Sequence, residues 1–461
     1  MSVSSTRAER DAPYRRDISA FACFALLIFM VIGPYMTLKT LPYTGEGSVL
    51  RQIGYSVIYA VALFAARVGA YPRRAFAMPL SLGLTLGWCW LSLAWAIDPD
   101  IAIRRLLLTT LLMLAIFMTV EGLKYERTIL IIRETMILIL IANFLCVIAV
   151  PSIGIHQQLD IEGFGLDPEL IGNWKGVMVQ KNFAGAVCAL TIFAFVFDAR
   201  NIKTWVRFAM VLGSVVFLYF THAKTSYGLL ILGLVAGWLF QNYNPRFRIL
   251  LVPALALAGL IAVSLTLSFW SEIVAFFSRP DAFTGRVQIW SVLVAYWKDN
   301  WLLGSGYGSF WNIGGNRTPV FHYVKETDWV ALVSIGHNGY LDLLAQTGLP
   351  GLVLGVLAVV VVPLRNLLSS LNIGRSQGAL LMSFLVFCVA HNLLETSLMD
   401  RDAIIQMYLM FTIALIGVVT RRRSVRVPDE ENSEASSPAK PLARSTRRVA
   451  ASRSGAQIER T

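Results

Sequence analysis

The sequence predicts an all-α, polytopic membrane protein with about twelve transmembrane helices and one large extramembrane loop containing amphipathic helices. Three observations predict it. Of 461 residues, 56% are hydrophobic and only 15% charged, with a mean hydropathy of +0.62, whereas a soluble chain carries about a quarter charged residues. Apolar runs recur along the chain, which fits repeated crossing of ~30 Å of hydrocarbon better than one large core. Lysine and arginine, which give a net charge of +12, collect in short loops and the C-terminal tail, as cytoplasmic loops require. That placement argues against a nucleic-acid partner.

In order along the chain, residues 1–17 are polar, carry Arg7, Arg10, Arg15 and Arg16, and are expected to be a cytoplasmic tail. Spans are expected at 18–36 and 53–66, and Arg67, Arg73 and Arg74 then mark a cytoplasmic return. Further spans fall at 75–96, 106–120 and 132–150, with Lys124, Arg127 and Arg133 between the last two. Pro151 opens an external loop that runs to about Gln180. A sixth span, 183–197, precedes the basic residues Arg200, Lys203 and Arg207. Spans 209–219 and 227–240 flank a short external turn, THAKTS, that holds Lys224. The ninth span, 249–269, completes a block of nine over 18–269 and leads into the large loop, 270–349. Spans 352–364, 378–393 and 404–419 fill the region 350–420. The tail 421–461 is rich in Ser, Ala, Pro and Arg and is expected to be disordered and cytoplasmic. Cys23, Cys89, Cys146, Cys188 and Cys388 all fall in apolar runs without a C-x-x-C pair, which argues against disulfide and metal roles. The first apolar run lacks a small-residue cleavage site, so no cleavable signal peptide is expected.

The large loop carries the chemistry. Gly285-Arg286 opens an amphipathic helix that sets Trp290, Leu293, Val294 and Trp297 on one face, which suits a helix lying at the membrane interface. The Arg286 guanidinium, a planar five-donor fork, suits a phosphate or diphosphate, and equally a lipid headgroup. Gly304, Gly306 and Gly308 form a turn, GSGYGSF, whose serine at 309 breaks the dinucleotide-binding pattern; its exposed amides could still meet an anion. His337-Asn338 opens a helix to about Gln346, which Gly348 and Pro350 are expected to stop. A histidine there could take a proton from a hydroxyl, although a lone histidine is more often a structural hydrogen-bonder.

Other cations converge on the same predicted face. Lys224 comes from the THAKTS turn, and Lys181-Asn182 from the top of the sixth span. With Arg286 and His337 they suit an anionic, lipid-linked substrate at headgroup depth. No paired acidic motif stands out in these loops, so metal-assisted transfer is not indicated. His391 and Glu395, in AHNLLETSLMDRD, are ionisable groups at the end of a span, and so either functional or a local helix contact.

These patterns resemble a known family. G-R-x-x-x-W (Gly285 to Trp290), G-x-G-Y-G and H-N-x-Y-L-D-x-L-x-x-x-G-L-x-G (His337 to Gly351) resemble the O-antigen ligase and polysaccharide polymerase superfamily. WKGVMVQKNFAG (Trp174 to Gly185) and THAKTS resemble its upstream motifs. The resemblance implies an inverting, metal-independent, GT-C-like glycosyltransferase of the bacterial inner membrane, acting on its periplasmic face with both termini cytoplasmic. It implies no cofactor, and a donor glycan on undecaprenyl diphosphate. By the same resemblance Arg286 and Lys224 would bind the diphosphate, and His337 would orient or deprotonate the acceptor hydroxyl. Lys181, Asn338, His391 and Glu395 complete the expected substrate-binding set. Lys224 departs from the family, which usually presents an arginine there, and lysine offers a point charge rather than a fork.

Two reactions of the superfamily compete. A polymerase builds exopolysaccharide or O-antigen from lipid-linked repeat units, whereas a ligase transfers the finished glycan to lipid A–core. The HNGYLDLL phrasing is closer to the exopolysaccharide polymerases. Membrane lipids, the glycan or lipid A–core acceptor and a chain-length regulator are the partner classes this implies. A glycolipid transporter or flippase is a third reading, but it would place charges at mid-span and show related halves.

Overall fold

The computed structural model describes residues 3–36, 48–157, 170–244, 285–314, 317–324, 329–401 and 403–421, with a few single positions between 246 and 269. The predicted ninth span (249–269), the first part of the predicted large loop and the tail 422–461 lie outside these described residues, apart from those single positions. Among the described residues the chain is helical, and its only extended pairing is a single bridge between Ile155 and Trp174.

The helices are α1 (Val3–Ile32), α2 (Val49–Ala66), α3 (Leu80–Leu91), α4 (Pro99–Ala149), the single turn α5 (Pro151–Gly154), α6 (Lys181–Val196), α7 (Thr204–Thr221) and α8 (Lys224–Asn242). After them come α9 (Arg286–Asp299), α10 (Gly339–Val356), α11 (Val362–Ser369), α12 (Arg375–His391) and α13 (Ile404–Thr420). Local chemistry sets several starts. Ser48 caps α2 by accepting the Arg51 amide at 3.3 Å, and Asp98 caps α4 by accepting the Ile101 amide at 3.1 Å, with Pro99 at the first helical position. α1 begins at Val3, so the helix takes in the polar residues expected to form a separate tail.

α4 spans 51 residues and is broken at Lys124, whose φ of 62° is not helical. The chain doubles back there. Both ends of α4 meet one end of the bundle, through the bonds from the Asp98 amide to Ser309 and from the Val177 amide to Asn143. Its middle meets the other end: Tyr125 donates to Asp198 at 2.6 Å, and Arg133 donates to the carbonyls of Ala194, Phe197 and Asp198. The two limbs correspond to the expected spans 106–120 and 132–150.

Helices approach closely where side chains are small, as they do in lipid. On α8, a Cβ at Gly237 would lie 2.2 Å from Ser383 Oγ of α12, and one at Gly233 would lie 2.4 Å from Phe193 of α6. Ser383 also donates to the Gly233 carbonyl at 2.8 Å, which ties the two helices together. Apolar stripes face outward: Trp205, Phe208, Leu212, Val215 and Tyr219 on α7, and Leu138, Ile141, Leu145 and Ile148 on α4 are exposed. Such stripes on long helices fit contact with lipid tails. Among the described residues, five helical segments are long and apolar enough to cross a membrane: Tyr14–Tyr35, Val49–Ala66, Pro99–Ala149, Thr204–Thr221 and Gly339–Ser369. Leu80–Trp95, Lys181–Val196 and Ile404–Thr420 are apolar but shorter.

Two local expectations are corrected, and one holds. Of the face marked by Trp290, Leu293, Val294 and Trp297, α9 buries only Leu293; its buried residues Ile289, Val292, Leu293 and Tyr296 pack with Phe310, Trp311, Val320, Val330 and Ala345, so the face the protein covers is rotated from the expected one. The helix after Asn338 is interrupted at Gly348, as expected: its φ of 67° and ψ of −174° are not helical, a Cβ there would lie 2.0 Å from the Leu302 carbonyl oxygen, and a second helical segment follows, with Pro350 near its start. Finally, the amides of the GSGYGSF turn are used within the protein. Ser305 donates to Ala345, Tyr307 to Ser92 Oγ and Gly308 to Gln346 Oε1, so those amides are not free for an anion.

Candidate active site

Glu395 is the hub of the site. It lies in the loop between α12 and α13, and its side chain is 5% exposed. Oε1 accepts from Arg286 Nη2 and from Asn182 Nδ2, both at 2.7 Å. Oε2 pairs with His337 Nδ1 at 3.1 Å. Arg286, the first residue of α9, also donates through Nη1 to the Leu394 carbonyl. Its side chain is 16% exposed, so the guanidinium is half sunk into the protein rather than turned wholly to water.

A carboxylate in this position has two opposing influences. Burial would raise its pKa, but the hydrogen bond from His337 and the charges of Arg286 and His337 outweigh it and hold Glu395 down at about 2. Glu395 is therefore an anion throughout the physiological range. A carboxylate facing Nδ1 favours, in the neutral ring, the tautomer with its proton on Nδ1 and a lone pair on Nε2.

A second carboxylate builds the turn that presents the histidine. Asp342, in the first turn of α10, accepts from Trp311 Nε1 at 2.6 Å, from the Gly336 amide at 3.0 Å and from Thr396 Oγ1. The clamp on Gly336 sets up the next residue, His337, in the left-handed region with φ 48°. For a residue with a Cβ this costs about 1–3 kcal/mol, and such strain persists where surrounding bonds over-determine it. Trp290 adds one of those bonds by donating to the Gly336 carbonyl at 3.0 Å.

Asn338 caps α10. Its Oδ1 accepts the Tyr340 and Leu341 amides, and its Nδ2 donates to Leu393, so this side chain is occupied in structure rather than open to substrate. The Asn338 amide reaches Thr396 Oγ1 at 3.1 Å, and the Gly339 amide reaches the carbonyls of Asn392 and Glu395. The start of α10 and the loop after α12 are thus stitched together.

Lys181 and Lys224 open α6 and α8. The first turns of these helices touch, since a Cβ on Gly185 would lie 2.6 Å from the Ala223 methyl and 3.1 Å from Ser226 Oγ. Lys224 is exposed and makes no ion pair among the described residues. The Lys181 amide donates to His156 Nε2 at 3.3 Å. Burial, with Lys175 and Lys181 alongside, lowers His156 to about 4 and keeps that ring neutral. Lys175, itself lowered by burial, is a cation of this corner that the reading of the sequence did not single out.

The structure thus joins Arg286, His337 and Glu395 directly, sets Lys181 and Lys224 at adjoining helix starts, and makes Asn338 a cap. His391 is fully buried behind Glu395, and among the described residues its ring makes no hydrogen bond. Asn182, Asp342 and Thr396 belong to the site, yet no local signal marks them beyond their adjacency to Lys181, to the His337 motif and to Glu395. Chemically, the arrangement offers a ring nitrogen at His337 Nε2, a fixed anion behind it, Arg286 on the same carboxylate and Lys181 next to Asn182.

Comparison with known proteins bears on this geometry. No curated protein matches the chain. A family model described as O-Antigen ligase matches residues 208–356, about a third of the chain, which hold Arg286, His337 and Asn338 while Asn182 and Glu395 lie outside. That match supports the resemblance of the chain to the O-antigen ligase and polysaccharide polymerase superfamily.

Proposed function

We propose that the protein is a membrane glycosyltransferase that polymerises undecaprenyl-diphosphate-linked repeat units into exopolysaccharide or O-antigen. The O-antigen ligase family implies a lipid-linked glycan donor and an acceptor. The observation that carries the reading is the bond between Glu395 and His337 Nδ1. A carboxylate behind a histidine fixes the tautomer and steadies the imidazolium that forms when the other nitrogen takes a proton.

In the step proposed, an acceptor sugar hydroxyl attacks the anomeric carbon of the donor with inversion. The bond from that carbon to the diphosphate oxygen breaks as the new glycosidic bond forms. The hydroxyl proton passes to His337 Nε2. The diphosphate departs with its electron pair, and its charge is met by Arg286, Lys224 and Lys181. Charge stabilisation by fixed cations is the work a divalent ion does in other transferases, so the proposed reaction is metal-independent.

We assign the chain a GT-C-like architecture of about twelve spans in the inner membrane, with the site on the periplasmic face and both termini cytoplasmic; the lysine and arginine asymmetry supports this. The site's charges sit at helix ends and in loops, which supports transfer over transport.

His337→Ala or Arg286→Ala is expected to abolish long polymer while lipid-linked single repeats accumulate, read on a glycolipid gel. Normal chain length in both variants sinks the reading. The family match favours ligation as the second reading. There, long chains persist on the lipid carrier in the variants but fail to reach lipid A–core.

A further inference from the structure

His391 is an ionisable group beside Glu395 that the proposed step leaves unused. It is the last residue of α12, 1% exposed, with its ring 5.7 Å from that of Phe387. An imidazole always carries at least one N–H. Here neither ring nitrogen meets a hydrogen-bond partner among the described residues. A buried donor without an acceptor is costly and rare in folded proteins, so a position that keeps one needs an explanation.

The surroundings supply it. The charges that reach His391 are those of Glu395 and Arg286, the two ends of the hub ion pair. Its carbonyl accepts the Glu395 amide at 2.9 Å, which holds the two residues one backbone turn apart. A carboxylate has about four acceptor positions. On Glu395, Oε1 serves Arg286 and Asn182, and Oε2 serves only His337. One position on Oε2 is left open.

Arg286 has a conflict of its own. Its Nη2 is spent on Glu395 and its Nη1 on Leu394, yet an arriving diphosphate needs the same bidentate edge. A guanidinium that turns to the substrate strips Glu395 of its strongest partner. A buried carboxylate that loses a charge-assisted bond takes up a proton or moves, and either change releases His337.

We propose that His391 is a positioning residue for the Glu395–His337 pair, a held donor that bonds Glu395 when Arg286 turns to an anionic lipid-linked substrate. The exchange keeps the carboxylate ionised and in place while the cation is shared. It rests on the reading of Glu395 and His337 as the proton-accepting pair.

The test uses the full chain in lipid nanodiscs, with undecaprenyl-diphosphate-linked glycan extracted from cells that lack the protein. His391→Phe removes the donor and fits the apolar wall, and His391→Gln keeps an N–H. Removing His391 should act on turnover and not on binding, with kcat about tenfold lower in His391→Phe, KM within about twofold and an unchanged or higher melting temperature. His391→Gln should stay within about threefold of the parent. Equal kcat in His391→Phe and the parent overturns the proposal, as does a His391→Gln variant as slow as His391→Phe. If phenylalanine prevents folding, His391→Met replaces it and is read the same way. Glu395→Gln is run beside them. Full turnover in Glu395→Gln overturns the underlying pair, whereas loss there with full turnover in His391→Phe overturns this inference alone.

Discussion

Glu395→Gln removes one charge and almost no volume, and its cost can be worked from the site. The fall of the Glu395 carboxyl from 4.5 to about 2 corresponds to roughly 3 kcal/mol of preference for the ionised form. Breaking a buried ion pair by neutralising one partner costs about 3–5 kcal/mol, because the other charge stays behind. Arg286, at 16% exposure, is that other charge, and its partial contact with water brings the figure to the lower end. A destabilisation of about 3 kcal/mol is therefore expected, read as a lower melting temperature in detergent.

The kinetic effect is larger and separable. Gln can still accept from Arg286 and Asn182 through its carbonyl oxygen, but its amide then faces His337 Nδ1 with a donor. That favours the tautomer with the proton on Nε2, where it blocks the acceptor hydroxyl. The equivalent amide substitution in the serine-protease triad lowers kcat by about 10⁴. A loss of about 10²–10⁴ in turnover is expected here, since His337 is also held by the Asp342 clamp on the preceding turn. The assay is elongation of lipid-linked glycan by reconstituted protein, with melting measured on the same sample. A lowered melting temperature with unchanged turnover refutes the pair and leaves Glu395 a structural ion.

Three other outcomes are expected. Arg286→Lys keeps the charge but cannot reach Leu394 and Glu395 together, so transfer should fall about tenfold or more; parental rates in a dose series of donor would show that the fork is not needed. Gly237→Val places side-chain atoms where Ser383 Oγ already lies 2.2 Å from a Cβ position, and overpacking of about 1–3 kcal/mol should appear as a lower melting temperature without a selective loss of turnover. His156, lowered to about 4 from 6.5, binds fewer protons folded than unfolded, so its neutral form favours the fold. Stability should therefore decline as pH falls from 6.5 toward 4, and His156→Gln should flatten that part of a melting-temperature profile; identical slopes would contradict it.

Much of this site could be read from the chain before any coordinates. Arg286 and His337 stand in glycine-marked motifs, and Lys181 and Lys224 stand where apolar runs begin. These are local signals, and local chemistry built the features they mark. Glu395 was visible only as a neighbour of His391, because its partners Arg286, His337 and Asn182 lie 109, 58 and 213 residues away. No periodicity reports a bond at that separation. The buried face of α9 was not legible for a related reason. Spacing marks an amphipathic helix, but it does not say which of its apolar residues the loop carrying Phe310 and Trp311 covers. Gly348 was legible because its signal is local: a glycine with a proline two residues on marks a break, and the non-helical backbone at Gly348 makes one.

The position of Glu395 has a consequence for how the protein is made. Asn182, Arg286 and His337 are all synthesised before it, on elements that precede α12 in the chain. Until the segment after α12 arrives, Arg286 is a half-buried cation without its anion, and His337 has nothing to fix its proton. The hub therefore closes last, when the final hairpin of α12 and α13 docks. A chain released early has its lysines, its arginine and its histidine, but not the carboxylate that turns them into one centre, so on the proposed function an incomplete copy is expected to leave donor unconsumed.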